Sequence, residues 1–174
     1  MSKYTLIVPI AADTDKMGTE MPYLFGLDSN GLMYCVKSIM GLPLEAFSDI
    51  YFTILHKHNL RYKLLEMMQI QFERLGIAHK THVYELWEST SSQPETLYHT
   101  VVGNHITGAV LFKDGDSYFT TEVYPENMLY IFPLDGLQVV NPQNKSYVTI
   151  DEQYYITRSE ENCKPFLLCG WIQY

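Results

Sequence analysis

Two acidic residues set two apart, Asp114 and Asp116, are the first candidates for chemistry in this sequence. Residues two apart on an extended chain point to the same side. If they close a strand, their carboxylates can hold Mg²⁺, which takes one or two protein carboxylates plus phosphate oxygens and water. The string Lys113-Asp114-Gly115-Asp116 is also good turn chemistry, so residue types leave both readings open. A second candidate is the stretch Asp13, Thr14, Asp15, Lys16, which follows the small pair Ala11-Ala12. A phosphate-binding loop needs glycines and free backbone N–H groups. Here the fingerprint glycines are missing, two carboxylates oppose a phosphate, and Lys16 is the one nearby cation. A phosphate cradle and an ordinary solvated loop both fit.

Four histidines fall in two close pairs. His56 and His58 share a face if the chain is a strand there. His79 and His82 straddle the start of a predicted strand, where a three-residue spacing does not converge. Either pair is a candidate metal ligand, although such residues are more often partly exposed side chains. Cys35, Cys163 and Cys169 form no CxxC, and no G-x-S-x-G elbow is present. Covalent hydrolase chemistry therefore has little support. Lys57, Arg61 and Lys63 read as a solvated basic helix face.

These residues need elements to position them. Residues 6–12 are a continuous apolar run, the pattern of a strand buried on both faces. Asp28-Ser29-Asn30 supply cap chemistry for a helix through Leu32, Met33, Val36, Ile39 and Met40, stopped by Gly41. Residues 49–58 read as a second strand, with Ile50, Phe52 and Ile54 alternating against Tyr51, Thr53 and Leu55. Asn59 is placed to cap a helix striped by Leu60, Leu64, Met68, Phe72 and Leu75, ended by Gly76. Residues 81–87 are a third strand. Ser92-Gln93-Pro94-Glu95 is a capping box opening a helix to about Val102. Residues 108–116 are a fourth strand. The order β-α-β-α-β-α-β predicts a parallel sheet covered by helices. Beyond Asp116 the expected elements are strands at 128–133 and 137–140, a hairpin of 146–150 with 154–158, and a final strand at 165–174. In an open α/β sheet, ligands bind at the C-terminal ends of the strands. Loops 12–18, 89–95 and 113–117 converge there.

Composition bounds the rest. The 174 residues fit one domain, 1–174. With 47% hydrophobic and 18% charged residues the chain is not disordered. A net charge of −8 argues against binding a nucleic-acid polymer but not against a single nucleotide whose charge a metal balances. No run approaches the ~20 residues of a membrane span, and the N-terminus reads as a strand, not a signal peptide. Three unpatterned cysteines fit a reducing, cytoplasmic setting.

The order of segments resembles the sugar-1-phosphate nucleotidyltransferase family, over nearly the whole chain. LIVPIAADTDK stands where that family has a strand and its G-x-G-[ST]-R loop. Met21-Pro22 occupies its lysine-proline signature. TSSQPET at 90–96 resembles its T-x-G-x-A-x-[TS] segment, and FKDGDSYF at 112–119 its metal-binding strand end. NPQNKSYV at 141–148 and FLLCGWIQY resemble its sugar side. The resemblance implies an α/β, three-layer αβα Rossmann-like GT-A (nucleotide-diphospho-sugar transferase) fold with a mixed, mostly parallel sheet. It implies a nucleoside triphosphate and a sugar 1-phosphate as partners, joined with release of pyrophosphate, for polysaccharide biosynthesis. It places Ala11, Ala12, Asp13, Ser92 and Gln93 on the nucleotide, Lys16 facing the leaving phosphates, and Asp116 with Asp114 on Mg²⁺.

The departures are specific. Ala12 and Thr14 replace signature glycines, Lys16 replaces an arginine and its bidentate fork, and Met21 replaces the signature lysine, leaving Lys37 or Lys113 as substitutes. Ser92 and Pro94 replace a glycine and an alanine. The family's second metal-binding aspartate falls past Tyr174. Three readings stand: an active nucleotidyltransferase lacking the family's C-terminal part, a non-catalytic relative that binds a nucleotide, sugar or protein partner, and a GT-A glycosyltransferase using Asp114 and Asp116 as a D-x-D motif. No membrane partner is expected, and a homo-oligomer is left open.

Overall fold

The computed structural model describes residues 4–11, 23–124, 127–132, 146–161 and 169–171. The chain divides into two compact units, Met1–Pro125 and Glu126–Tyr174. Among the described residues no helix is long and apolar enough to cross a membrane.

The first unit is built on a parallel sheet in the order β3-β2-β1-β4, from β1 (Tyr4–Pro9), β2 (Phe47–Leu55), β3 (Thr81–Leu86) and β4 (Val110–Phe112). The apolar run of β1 lies beside both β2 and β4, and Leu6, Ile7 and Val8 are fully buried. That is the environment its unbroken pattern predicts. Neighbouring residues of a strand face opposite sides of a sheet, and β2 shows which helix covers which side. Phe52 stacks on Phe72 of α3 (Leu64–Arg74), ring centroids 5.3 Å apart. Next to it, Thr53 Oγ1 lies 2.7 Å from Thr100 Oγ1 of α4 (Gln93–Gly103). The Thr100 hydroxyl gives its proton to the Thr96 carbonyl, so Thr53 is the donor. Helices α3 and α4 therefore cover opposite faces, and the architecture is three-layered.

Four elements of this unit differ from the sequence expectation. The helix expected through 32–40 shrinks to one turn, α1 (Tyr34–Lys37). Its apolar positions are still buried, but Ser38 Oγ donates to the Cys35 carbonyl at 2.7 Å. The Ile39 N–H bonds Val36 O and the Met40 N–H bonds Lys37 O, so the chain tightens into three-residue turns. Asp28 does not cap α1. Its Oδ1 accepts from Asn30 N and Leu32 N, closing the preceding turn, and its Oδ2 pairs with Lys37 at 2.9 Å.

The second strand ends at Leu55, and α2 (His56–Tyr62) starts at once, so His56 and His58 lie on a helix. Lys63 takes a left-handed conformation (φ 57°) that breaks α2 from α3, and Asn59 Oδ1 caps the new helix through Leu65 N at 3.0 Å. Leu64, Met68 and Phe72 of the predicted stripe are buried, while Leu60 faces solvent. The fourth strand keeps only residues 110–112 in the ladder, because Gly115 and its neighbours turn back against β1.

The second unit, taken alone, is an antiparallel sheet in the order β5-β8-β6-β7: β5 (Tyr130–Phe132), β6 (Ser146–Ile150), β7 (Ile156–Glu161) and β8 (Cys169–Trp171). The expected hairpin forms. Asp151 Oδ1 accepts from Gln153 N and Tyr155 N, both at 2.9 Å, and Tyr154 turns left-handed (φ 66°), so the return strand begins two residues later than predicted. The strand expected at 137–140 lies outside the described residues.

Candidate functional site

A parallel sheet puts the C-terminal ends of all four strands on one side, and two of the three expected loops meet there. Helix α4 opens at that end. Ser92 is its N-cap, with Oγ accepting from Glu95 N at 3.4 Å, and Pro94 sits in the first turn. Glu95 reaches back one residue further than a capping box requires, to Ser91 N and Ser91 Oγ, both at 2.6 Å. These bonds hold its carboxyl below the usual range. With the helix end so fixed, Gln93 Nε2 donates to Asp114 Oδ1. The nucleotide-loop candidate and the metal-loop candidate are thus joined directly.

The acidic turn is fastened from the buried side. Lys113 is 3% exposed. Its Nζ donates to the carbonyls of Asp114 (2.9 Å) and Ser117 and to Ser117 Oγ (2.9 Å), and it lies 4.6 Å from the centre of the Phe119 ring. Burial pushes the Lys113 ammonium down to about 8, against the pull of the Asp114 and Asp116 carboxylates. The backbone follows the same path: Lys113 N bonds Ile7 O at 3.0 Å, and Gly115 lies so close to β1 that a Cβ there would stand 2.4 Å from Ile10 Cγ2. Only glycine fits. Across the turn, Tyr23 donates its hydroxyl to Asp116 Oδ2 at 3.1 Å. Desolvation and the Asp116 carboxylate push that hydroxyl well above the ordinary tyrosine range, so it remains a donor at any working pH. A cavity of about 290 Å³ opens beside Asp116, walled by Tyr23, Tyr34, Tyr118, Lys37 and two serines, Ser38 and Ser117.

The donor set suits Mg²⁺. Asp114 and Asp116 offer hard carboxylate oxygens on the turn that follows β4, the donor type this ion takes.

The other nominees separate. Ala11 is buried with Leu55 and Leu86 in a small apolar cluster where strands β1, β2 and β3 end. Ala12, Asp13, Lys16 and Met21 lie outside the described residues. The histidine pairs do not converge. His56 bonds Glu85, His58 is buried between Phe25 and Tyr62, His79 sits in a short helical turn, and His82 pairs with Asp49 while stacking on Tyr51. Lys37 and Lys113, the candidates to replace the signature lysine, are both engaged, the first by Asp28 and the second by its own turn. Sequence reasoning gave Tyr23 no role. Its signal was its place directly after Met21-Pro22.

No protein-family model matches the chain, and no curated protein matches it. Solved structures do. A nucleoside-diphosphate-sugar pyrophosphorylase from Vibrio cholerae RC9 superimposes with a TM-score of 0.71 at 16% identity, covering 97% of this chain and 73% of that one. An inositol-1-phosphate CTP transferase from T. maritima gives a TM-score of 0.66 at 12% identity, covering 97% of this chain and 68% of that one. At such identities the likeness establishes the fold. The chain has the nucleotidyltransferase-like, Rossmann-like αβα fold.

Proposed function

We propose that this chain is a sugar-1-phosphate nucleotidyltransferase-like protein, forming a nucleotide-sugar from a nucleoside triphosphate and a sugar 1-phosphate in polysaccharide biosynthesis. The observation that carries the reading is the Gln93–Asp114 bond. It ties the loop expected on the nucleotide to the turn expected on the metal, at the end of the sheet where α/β folds bind ligands. Both solved relatives bear names of nucleotide chemistry, on a diphosphate-sugar and on inositol 1-phosphate.

In this reading an oxygen of the sugar phosphate attacks the α-phosphorus, a new P–O bond forms, and the bond to the β-phosphate breaks to release pyrophosphate. Asp116 and Asp114 would hold Mg²⁺, which supplies charge neutralisation on the phosphates. Tyr23 orients the Asp116 carboxylate, and Gln93 orients that of Asp114. Lys113 offsets their charge from the buried side and keeps the turn in place. Ser92 sits at the mouth of α4, near the nucleotide. The cavity beside Asp116 gives the acceptor room, and the family resemblance assigns Lys16 to the leaving phosphates.

A second reading, a non-catalytic nucleotide-binding relative, draws on the engagement of Lys37 and Lys113 by other groups. Phosphoryl transfer rests on positioning and charge neutralisation; Lys113 is buried in its own turn, and Lys37, which lines the cavity, has its charge shared with Asp28.

Thermal melting with each nucleoside triphosphate, with and without Mg²⁺, followed by a pyrophosphate-release assay with sugar 1-phosphates, decides between them. A bound ligand raises stability by RT ln(1 + [L]/Kd). The transferase reading expects a Mg²⁺-dependent shift, pyrophosphate release, and a loss of about 10²–10³ in rate for Asp116→Ala, comparable to removing one strong electrostatic contact. Binding without release supports the second reading. Breakdown of a nucleotide-sugar in place of its synthesis points to a glycosyltransferase. Mg²⁺-dependent binding that survives intact in Asp116→Ala refutes the metal assignment.

A further inference from the structure

The loop that carries Ser92 and Gln93 begins, at its other end, with a cluster that the transfer chemistry does not use. Trp87 directly follows β3, and its side chain is 78% exposed. Its indole rests on the imidazole of His56, ring centroids 3.9 Å apart and planes 32° from parallel. The imidazole is itself fixed. His56 Nδ1 lies 2.7 Å from Glu85 Oε2, and Asn59 Nδ2 donates to the same oxygen at 3.2 Å. A lone exposed aromatic on a protein surface is ordinary. This one is braced on one side by a ring that a carboxylate holds in place, and four fifths of it remains open.

Its position adds the second observation. Trp87 leaves the sheet at β3, and the Asp114–Asp116 turn leaves it at β4. The order β3-β2-β1-β4 separates them by three strand spacings, or about 14 Å. An exposed aromatic at one end of this row and two carboxylates at the other are spaced as the base and the phosphates of one extended nucleotide are.

We propose that Trp87, braced by His56, is the stacking platform for the heterocyclic base of a nucleotide whose phosphates lie at the Asp114–Asp116 turn. The inference rests on the nucleotide-binding part of the function proposed above. Stacking on an indole requires only a π-face, so the platform accepts purine and pyrimidine bases alike. Selection among bases then falls to hydrogen-bonding groups elsewhere along the loop.

The test uses the full chain with Trp171→Phe, which leaves Trp87 as the sole tryptophan. ATP, GTP, CTP and UTP are titrated with Mg²⁺ while Trp87 fluorescence is followed, and inorganic tripolyphosphate serves as the probe without a base. The platform predicts saturable quenching by at least one nucleotide and none by tripolyphosphate. By calorimetry, Trp87→Ala should weaken that nucleotide about 10- to 100-fold, the range that loss of one base–aromatic stack produces. Trp87→Phe should restore most of the loss, and tripolyphosphate should bind all three proteins equally. Trp87 is exposed, so these variants should keep the wild-type melting temperature. Nucleotide affinity unchanged in Trp87→Ala overturns the platform and leaves the proposed function standing. An equal loss for tripolyphosphate also overturns it, since the defect then lies at the phosphates. Wild-type protein that binds no nucleotide overturns both.

Discussion

Gly115→Ala tests how tightly the acidic turn is seated. The added methyl would stand 2.4 Å from Ile10 Cγ2, roughly 1 Å inside the ~3.5 Å at which two carbons rest. Ile10 is 3% exposed, and Cγ2 is a branch on its Cβ and not the far end of a flexible side chain. The turn must therefore lift, or β1 must shift, and overpacking of this kind costs about 1–3 kcal/mol. The functional effect should exceed the stability effect. Asp114 and Asp116 flank Gly115, and a displacement of ~1 Å in positioned groups can cost about 10²-fold in rate. Urea denaturation reads the first quantity, and Mg²⁺-dependent nucleotide binding or pyrophosphate release reads the second. Ile10→Ala deletes the obstructing Cγ2 and by itself should cost about 2–5 kcal/mol, as large-to-alanine core changes do. In the double variant the two costs should fall short of additivity by about 0.5–3 kcal/mol, the coupling of residues in contact. Strict additivity, or a Gly115→Ala protein indistinguishable from wild type, would refute the claim that Ile10 and Gly115 set the height of the turn.

Two further outcomes follow from local geometry. The Lys37 ammonium, then the Leu32 N–H, hold the Asp28 carboxyl down to about 2. A carboxyl depressed in the folded state binds fewer protons there than in the unfolded chain, so this interaction stabilises fully above the unfolded carboxyl range and is lost as pH falls from about 4 through 2. An NMR titration should place the Asp28 midpoint near 2 and show it rising in Lys37→Met. At the site itself, Ser92→Ala removes the cap of α4 and should cost about 0.5–1 kcal/mol, with Ser92→Gly milder. Hydrogen exchange should show the gain in opening confined to the first turn of α4, beside Gln93.

The elements legible in the sequence were those whose pattern is set by one face of their own surroundings. The apolar run of β1, the stripe of Leu64, Met68 and Phe72, and the Ser92 cap each carry their signal locally. Distant partners decided the elements that were misread. Glu85 on β3 holds both His56 and Asn59, 29 and 26 residues earlier, and the helix that presents them replaces the end of the expected strand. The one-turn α1 gives way to three-residue turns after Lys37 that still bury Ile39, so periodicity does not mark its end. At the site, the capping pattern and the acidic string nominated Gln93 and Asp114, which do meet, while Asp116 sits in a turn and not on the extended strand whose alternation suggested it. The partner of Asp116, Tyr23, is 93 residues away, and its place after Met21-Pro22 does not reveal that pairing. The brace beneath Trp87 was hidden for the same reason, since it depends on where α2 begins.

The placement of β1 has a consequence for synthesis on the ribosome. It is the first strand made, and it ends beside β2 on one edge and β4 on the other. Its partner at residues 47–55 emerges early, and β3 extends the sheet on the far side. The other edge of β1 waits until residues 110–112 have left the exit tunnel. Until then the nascent sheet presents Leu6, Ile7 and Val8 on an unpaired, uncharged strand edge, the kind of template on which chains pair with one another. A chain halted between Leu55 and Val110 carries that edge permanently, so premature termination there should yield aggregates and not a smaller soluble sheet.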